Sequence, residues 1–423
     1  MLKKIGFIFL VSTPLVLLAQ PNSSGASNKD LQLNTITTAM PFLSITPDSR
    51  AGAMGDAGTA LSANSHSIYW NTAMLNFAKD DGEISVSYTP WLRQLTNDMS
   101  LSYVSGYKRI GTRHAVTAAL RYFSLGEITF TDNSGTKIRD DKPSEFEIAG
   151  GYAFKLADKF SIGINGKFAY SNLTGGLVTP GGATSKAGIA GASDISFIYY
   201  NEDAELGGKS GVLSLGATIN NIGNKIAYSE VTTDQRDFLP MNLKLGGAYT
   251  MKFDKFNTLT WALDLQKLLV PTPPIRDAVT GEIISGKNNN IGVISGMLQS
   301  FGDAPGQLEV DDQGDYIQDA SGKYQVKKGS KFKEELREIN IATGLEYWYN
   351  NMFAIRGGFF YENYTKGSRQ YFNAGVGLKY KIIGIDISYL AALRQGNPLA
   401  NTVRFTLRFQ IGKSGKSNES APE

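Results

Sequence analysis

Cysteine is absent from the 423 residues, and histidine occurs only twice, as His66 and His114. The first absence excludes a disulfide scaffold, a zinc ribbon, an iron–sulfur site and a cysteine nucleophile. The second leaves too few ligands for a histidine-rich metal site, so no metal and no cofactor are expected. Net charge is scarce as well. Lys and Arg number 42 against 39 Asp and Glu, +3 overall, and the balance falls to +1 without Lys3 and Lys4. A chain so near neutrality, with no basic stripe, is not expected to bind nucleic acid. After the first 20 positions no apolar run reaches the roughly 18 residues that a membrane-crossing helix needs. A membrane β-barrel is untouched by that test, because its strands alternate and average to low hydropathy.

What is present points the same way. Glycine numbers 46, and Tyr and Phe number 20 and 22, a composition rich in β-formers and tight turns. Residues 1–19 begin with Lys3 and Lys4, continue through an apolar run from Ile5 to Leu18, and end at Ala19. That is the plan of a secretory signal peptide, with the mature chain starting at Gln20. Residues 20–82 form an N-terminal periplasmic or plug segment, 83–411 a barrel, and 412–423 a C-terminal tail.

From Glu83 onward, period-two alternation recurs almost without pause. Strands are predicted at 83–90, 97–108, 113–124, 144–155, 159–171, 189–200, 211–222, 239–251, 257–267, 338–348, 351–362, 369–380, 383–393 and 400–411. In the last of them Val403, Phe405, Leu407, Phe409 and Ile411 share one face, and Thr402, Arg404, Thr406, Arg408 and Gln410 the other. Soluble sandwiches alternate too. These segments, however, run to about 11 residues, the length that crosses a bilayer obliquely. Their polar faces also carry charges deep in the strands: Arg121, Glu147, Lys167, Lys244, Asp264, Arg356, Asp386 and Arg404. Connections after even-numbered strands are short, apart from 201–210, and those after odd-numbered strands are often long. The expected fold is therefore all-β, a fourteen-stranded antiparallel transmembrane barrel in a bacterial outer membrane. Its N-terminus is periplasmic, and its odd-numbered connections, including 268–337, face outward.

Before the first strand, Arg50 opens a stretch with Gly52, Gly55 and Gly58 at every third position, followed by Asp56 between them and by Trp70-Asn71 further on. The spacing is neither a phosphate loop nor a dinucleotide fingerprint. Small residues there allow close backbone packing inside a lumen, as a plug would need.

Residues 55–61, Gly-Asp-Ala-Gly-Thr-Ala-Leu, followed by Tyr69-Trp70-Asn71-Thr72-Ala73, resemble the N-terminal segment of FadL-like outer-membrane transporters. Those usually carry Asn-Pro-Ala where this chain has Asn71-Thr72-Ala73. Residues 44–56 and 84–92 resemble, more narrowly, the PorV family, the FadL-like outer-membrane component of the type IX secretion system. The resemblance spans about 40–410. It implies a plugged fourteen-stranded barrel that binds the C-terminal signal domain of secreted cargo. The cargo is collected at the outer-membrane translocon and handed to a sortase-like attachment complex.

The longest connection, 268–337, exceeds ordinary loop lengths. It opens with apolar Leu268, Leu269 and Val270. Ile291, Ile294, Leu298 and Phe301 then fall on one helical face, flanked by Met297. These are the candidate cargo-contacting residues; folding back on the barrel rim is the competing role. Asp311–Asp315 lacks the acidic spacing of a calcium loop. Lys327, Lys328, Lys331 and Lys333 form a basic run able to meet lipopolysaccharide phosphates.

No Gly-x-Ser-x-Gly elbow accompanies either histidine, and no catalytic role is assigned. Two alternatives to cargo shuttling stand: a transporter of hydrophobic small molecules and, ranked below it, a lipopolysaccharide O-deacylase. Glu147 with Lys167, and Asp386 with Arg404, are expected to compensate each other within the lumen.

Overall fold

The computed structural model describes residues 33–412 apart from 94–95, 97, 133, 174–184, 229–235, 278, 312–315 and 395–398. The leader, the tail beyond 412 and most of the Asp311–Asp315 stretch lie outside the described residues. Fourteen strands form one closed barrel: β1 Gly82–Pro90, β2 Ser100–Ile110, β3 His114–Ser124, β4 Ser144–Ala157, β5 Phe160–Asn172, β6 Gly188–Leu206, β7 Lys209–Gly223, β8 Asn242–Lys252, β9 Asn257–Leu268, β10 Ile339–Tyr349, β11 Phe353–Tyr361, β12 Gln370–Tyr380, β13 Ile383–Ala392 and β14 Thr402–Ile411. Each pairs antiparallel with its sequence neighbour. The seam joins β1 to β14 from Gly82 opposite Ile411 to Tyr88 opposite Phe405, so no barrel edge is left unpaired.

All fourteen predicted segments coincide with strands. The side-chain pattern explains why. On β14, Thr402, Arg404, Thr406 and Arg408 are buried in the lumen, while Phe405, Phe409 and Ile411 are exposed on the outer wall. An apolar outside around a charged inside is the reverse of a soluble protein and suits lipid. No helix among the described residues is long and apolar enough to cross a membrane.

Two boundaries differ from the sequence reading. The connection expected at 201–210 is a continued hairpin: β6 and β7 extend to Leu206 and Lys209 and turn through Gly207 and Gly208, both at positive φ (60° and 74°). Paired positive φ is what a two-residue hairpin turn demands. The strand expected from Leu239 starts instead at Asn242. Pro240 has no N–H for a ladder; Leu239 is buried against the N-terminal segment with Met40, Phe42 and Leu43, and Met241 is buried with Phe238, Leu269 and Val270 beneath the long connection.

Every connection after an even-numbered strand is short, and those after odd-numbered strands are longer. The described chain begins at the long-loop end, where Asn34 donates its backbone N–H to the Thr365 carbonyl (3.0 Å). It descends through the lumen by a 3-10 turn, Pro41–Ser44, then α1 Ser49–Ala53, α2 Ser67–Trp70 and a second 3-10 segment, Thr72–Phe77. At the short-turn end Arg109 Nη1 donates to the Ala78 carbonyl (2.8 Å), just before β1. The expected periplasmic N-terminus concerns residues outside the described ones.

The longest connection is folded. It holds a small hairpin (Ile275–Arg276 with Ile283–Ser285), α3 Val293–Gln299 and α4 Ser330–Arg337.

Candidate functional site

The small residues of the N-terminal segment act as contact points with the barrel wall. Gly55 sits at φ 71°, and a Cβ there would lie 2.4 Å from the Phe359 backbone nitrogen and 2.7 Å from the Thr343 carbonyl. A Cβ on Gly58 would enter the Trp70 ring at 2.2 Å, and one on Gly52 would meet Arg404 at 2.7 Å. The wall reciprocates: Gly344 and Gly358 leave room for the Met54 backbone. Glycine on both surfaces brings two backbones together where any side chain would hold them apart.

Charge fixes the plug in register. Asp48 caps α1 by accepting the Ala51 N–H (2.9 Å) and takes the Trp70 Nε1–H on its other oxygen (2.8 Å). Arg50 reaches the wall and donates through Nε and Nη2 to Glu346 (2.8 and 2.7 Å), while also holding the Ser62 carbonyl and hydroxyl. Glu346 accepts from Arg356 (2.7 Å), Arg356 donates to Asp386 (2.7 Å), and Asp386 accepts from Arg408 (2.9 Å). Arg408 approaches Glu83 (3.7 Å), which accepts both the backbone N–H and the hydroxyl of Ser65 (2.9 Å each). The result is a buried alternating belt that starts and ends on plug residues. Asp264 adds a third tie, accepting from Gly58 N, Thr59 N and Thr59 Oγ1 on one oxygen. Asn71 supplies the bend between α2 and the following 3-10 segment: its backbone is extended (φ −161°), and its Nδ2 donates to the carbonyls of Thr59 and Phe197 (3.0 Å each).

The seven sequence-selected plug residues therefore lie together in the lumen. The pairing of Asp386 with Arg404 does not form. Asp386 is taken by Arg356 and Arg408, and Arg404 leans toward the plug, 3.9 Å from Asp56. Glu147 and Lys167 approach at 3.8 Å, but the closer partner of Lys167 is Asp194 at 2.8 Å. His66 Nε2 lies 2.9 Å from Ser87 Oγ, and both residues are buried. Its Nδ1 has no hydrogen-bond partner, so no carboxylate orients the ring as a hydrolytic triad would require.

Above the plug and below the external loops is a partly open chamber of about 280 Å³. Its lining includes Tyr69, Trp70, Lys244, Leu268, Lys366 and Arg369. The long connection is pinned over this end by charges that sequence periodicity did not single out. Lys267 and Lys366 both donate to Glu338 (2.5 and 2.9 Å), which also accepts the Thr272 hydroxyl. Lys366 reaches Glu334 as well (2.7 Å). Burial alone would raise the Glu338 carboxyl; the two ammoniums overcome it and hold it below the usual carboxylate range. Asp303, buried with few donors, is pushed up to about 6.

The eight loop residues selected from sequence separate. Leu269 and Val270 are buried, Leu268 lines the chamber, and Ile291 and Met297 are half-buried against Phe238 and Met241. Ile294, Leu298 and Phe301 stay outward, 62%, 71% and 55% exposed. The expected single apolar face is thus divided, because Ile291 precedes α3 and Phe301 follows it. On α4, Phe332 and Leu336 are also exposed. Among the basic run, Lys328, Lys331 and Lys333 are exposed and Lys327 is half-buried. Among the described residues no group of three or more His, Cys, Asp and Glu side chains is arranged to hold a metal ion.

The model of the family described as type IX secretion system protein PorV matches residues 27–275, more than half of the chain. The chain belongs to the PorV family. It is accordingly an outer-membrane protein of the type IX secretion system. No curated protein matches it. Solved structures similar to this PorV-family barrel include the Pseudomonas putida toluene transporter TodX (11% identity, 89% of this chain and 98% of that one, TM-score 0.46). The Ralstonia pickettii toluene transporter TbuX follows at 10% identity, with 86% and 97% covered and a TM-score of 0.45. A Pseudomonas aeruginosa FadL homologue is 11% identical, with 89% and 99% covered and a TM-score of 0.41.

Proposed function

We propose that this barrel is a non-enzymatic receptor that takes the C-terminal signal domain of secreted cargo from the outer-membrane translocon and delivers it to a sortase-like attachment complex. The observation that carries the reading is the outward apolar face of Ile294, Leu298 and Phe301 on a connection otherwise pinned down. Apolar side chains held in water on a fixed scaffold are a prepared docking surface. The exposed lysines on and just before α4 are placed to meet lipopolysaccharide phosphates.

The test is affinity capture of tagged protein from detergent-solubilised outer membranes, with mass spectrometry of the co-purifying proteins. The parent is expected to bring down many secreted proteins that share one C-terminal domain. The Ile294→Ser, Leu298→Ser, Phe301→Ser triple variant should lose them by tenfold or more, as removal of a small apolar hot spot does. Undiminished capture by the triple variant would move the surface elsewhere. Absence of such proteins, with lipid alone retained, would favour a transporter of hydrophobic small molecules. Release of fatty acid from lipopolysaccharide by the purified barrel would favour a deacylase.

A further inference from the structure

Beyond the plug, at the short-turn end of the barrel, lies a separate open cavity of about 510 Å³. Its floor is the last part of the plug. Phe77 packs on Tyr200 of β6 with ring centroids 4.7 Å apart, and the buried Asn76 side chain meets Ser161 Oγ at 2.7 Å. Its walls are the β4–β5 and β6–β7 hairpins, and both carry an irregularity at this level. In β4 the register shifts between Lys155 and Ala157, and in β6 between Asn201 and Ala204. A bulge breaks the two-residue alternation of a strand and re-aims its side chains. Consecutive Glu202 and Asp203 thus both line the cavity, where a regular strand would turn one of them away. The lining holds the cations Lys79, Arg109, Lys155 and Lys159 and the anions Asp158, Glu202 and Asp203. Among the described residues none of these is in an ion pair. Lys155 Nζ instead lies 5.3 Å from the centre of the Phe77 ring. Charges of both signs therefore share one cavity without neutralising each other. A plain anion or a plain cation would meet like charge there, which discriminates against both. A ligand that brings a carboxylate and an ammonium together would not.

We propose that this cavity binds an amino-acid zwitterion, its carboxylate on Lys155 and Lys159 and its ammonium on Glu202 and Asp203. Short turns of outer-membrane barrels face the periplasm. Two sources there offer this chemistry: free amino acids, and the diamino acid of cell-wall stem peptides, which carries a carboxylate and an ammonium on one carbon. The site lies at the opposite end of the barrel from α3 and does not rest on the docking role of that helix.

The test titrates full-length protein in detergent by calorimetry with meso-diaminopimelate, L-alanine, pimelate and 1,5-diaminopentane, each to about 10 mM. Diaminopimelate is expected to saturate the signal. Pimelate, which keeps only the carboxylates, and 1,5-diaminopentane, which keeps only the ammoniums, should bind at least tenfold more weakly. Lys155→Gln with Lys159→Gln, and Glu202→Gln with Asp203→Asn, should each weaken diaminopimelate tenfold or more, as loss of charge-assisted contacts does. The first pair should not weaken 1,5-diaminopentane and the second should not weaken pimelate, a crossed pattern that a merely structural role would not give. Both double variants, without probe, are expected to melt with the parent, because the replaced groups hold no ion pair. Co-sedimentation with purified cell-wall sacculi that both variants lose would assign the site to the cell wall. L-Alanine binding as tight as that of diaminopimelate, without co-sedimentation, would assign it to free amino acids. Pimelate or 1,5-diaminopentane binding as well as diaminopimelate, binding that survives both pairs of substitutions, or no saturable response would overturn the proposal.

Discussion

Single residues carry unusual weight in the plug because so many of them touch backbone. Replacing Gly55 by Ala adds a methyl group 2.4 Å from the Phe359 nitrogen at a φ that disfavours any side chain. The expected cost is about 2–5 kcal/mol from overpacking and backbone strain together. The variant should show a lower thermal midpoint and protease cleavage within 44–77. Gly166→Ala, where nothing lies within 4 Å, is the control and should melt with the parent. In the charge belt, Glu346→Gln leaves Arg50 and Arg356 facing each other across a lost carboxylate. Breaking such a buried pair is expected to cost about 3–5 kcal/mol. Adding Arg50→Met should recover part of it, measured as a double-mutant cycle of thermal midpoints. The lumen charges themselves were legible in sequence, since alternation alone puts Arg356, Asp386 and Arg404 on one side of the wall. Their partners were not. Asp386 is opposite Thr406, so Arg404 and Arg408 are both diagonal neighbours. Which of them reaches Asp386 depends on the plug drawing Arg404 away, and one strand's pattern holds no trace of that.

At the scale of elements, strand positions followed from period and length, and the deviations have local causes in Pro240 and in the Gly207-Gly208 turn. The long connection was legible only as long. Its apolar spacing marked α3, but how many of those residues face inward was decided by the cluster around Phe238 and Met241, which belongs to another connection. The clasp of Lys267 and Lys366 on Glu334 and Glu338 gathers residues far apart in sequence and has no periodic signature. It is also the place where pH should act. The Asp303 carboxyl is raised by burial, so the folded loop binds a proton more tightly than the unfolded chain between its ordinary value and about 6. Stability from this group is therefore greatest below that window and falls as pH rises through it. Protection factors of amides in 269–304, corrected for the intrinsic pH dependence of exchange, are expected to be higher at pH 5 than at pH 7.5, and Asp303→Asn should flatten the difference. Glu338 works in the opposite sense, and its contribution disappears only in acid below the usual carboxylate range.

For the molecule as a whole, conductance is the test of whether the plug closes the lumen. The belt and the Asp264 contacts tie the plug to the barrel wall through paired charge and hydrogen bonds, and the parent is expected to show low, steady conductance in planar bilayers. Variants that loosen the plug without touching the wall, Arg50→Ala or Gly55→Ala, should raise single-channel conductance severalfold. A parent that already conducts like an open pore would mean that the plug is not a seal. The fourteen-strand count and the division into long and short ends were available from sequence at this scale. The route of the N-terminal segment through the lumen was not, because small residues announce close packing without saying against what.

That route constrains assembly. Residues 33–77 occupy the interior of a ring that the same chain completes only when β1 meets β14, its first and last strands. A ring finished beforehand would require the segment to be threaded past Glu346, Arg356 and Asp264 afterwards, each needing its partner at once. Zipping of the Gly82–Ile411 seam around a segment already in place avoids this. The order of events at the seam, rather than the strength of any contact, then decides whether a newly made barrel is sealed.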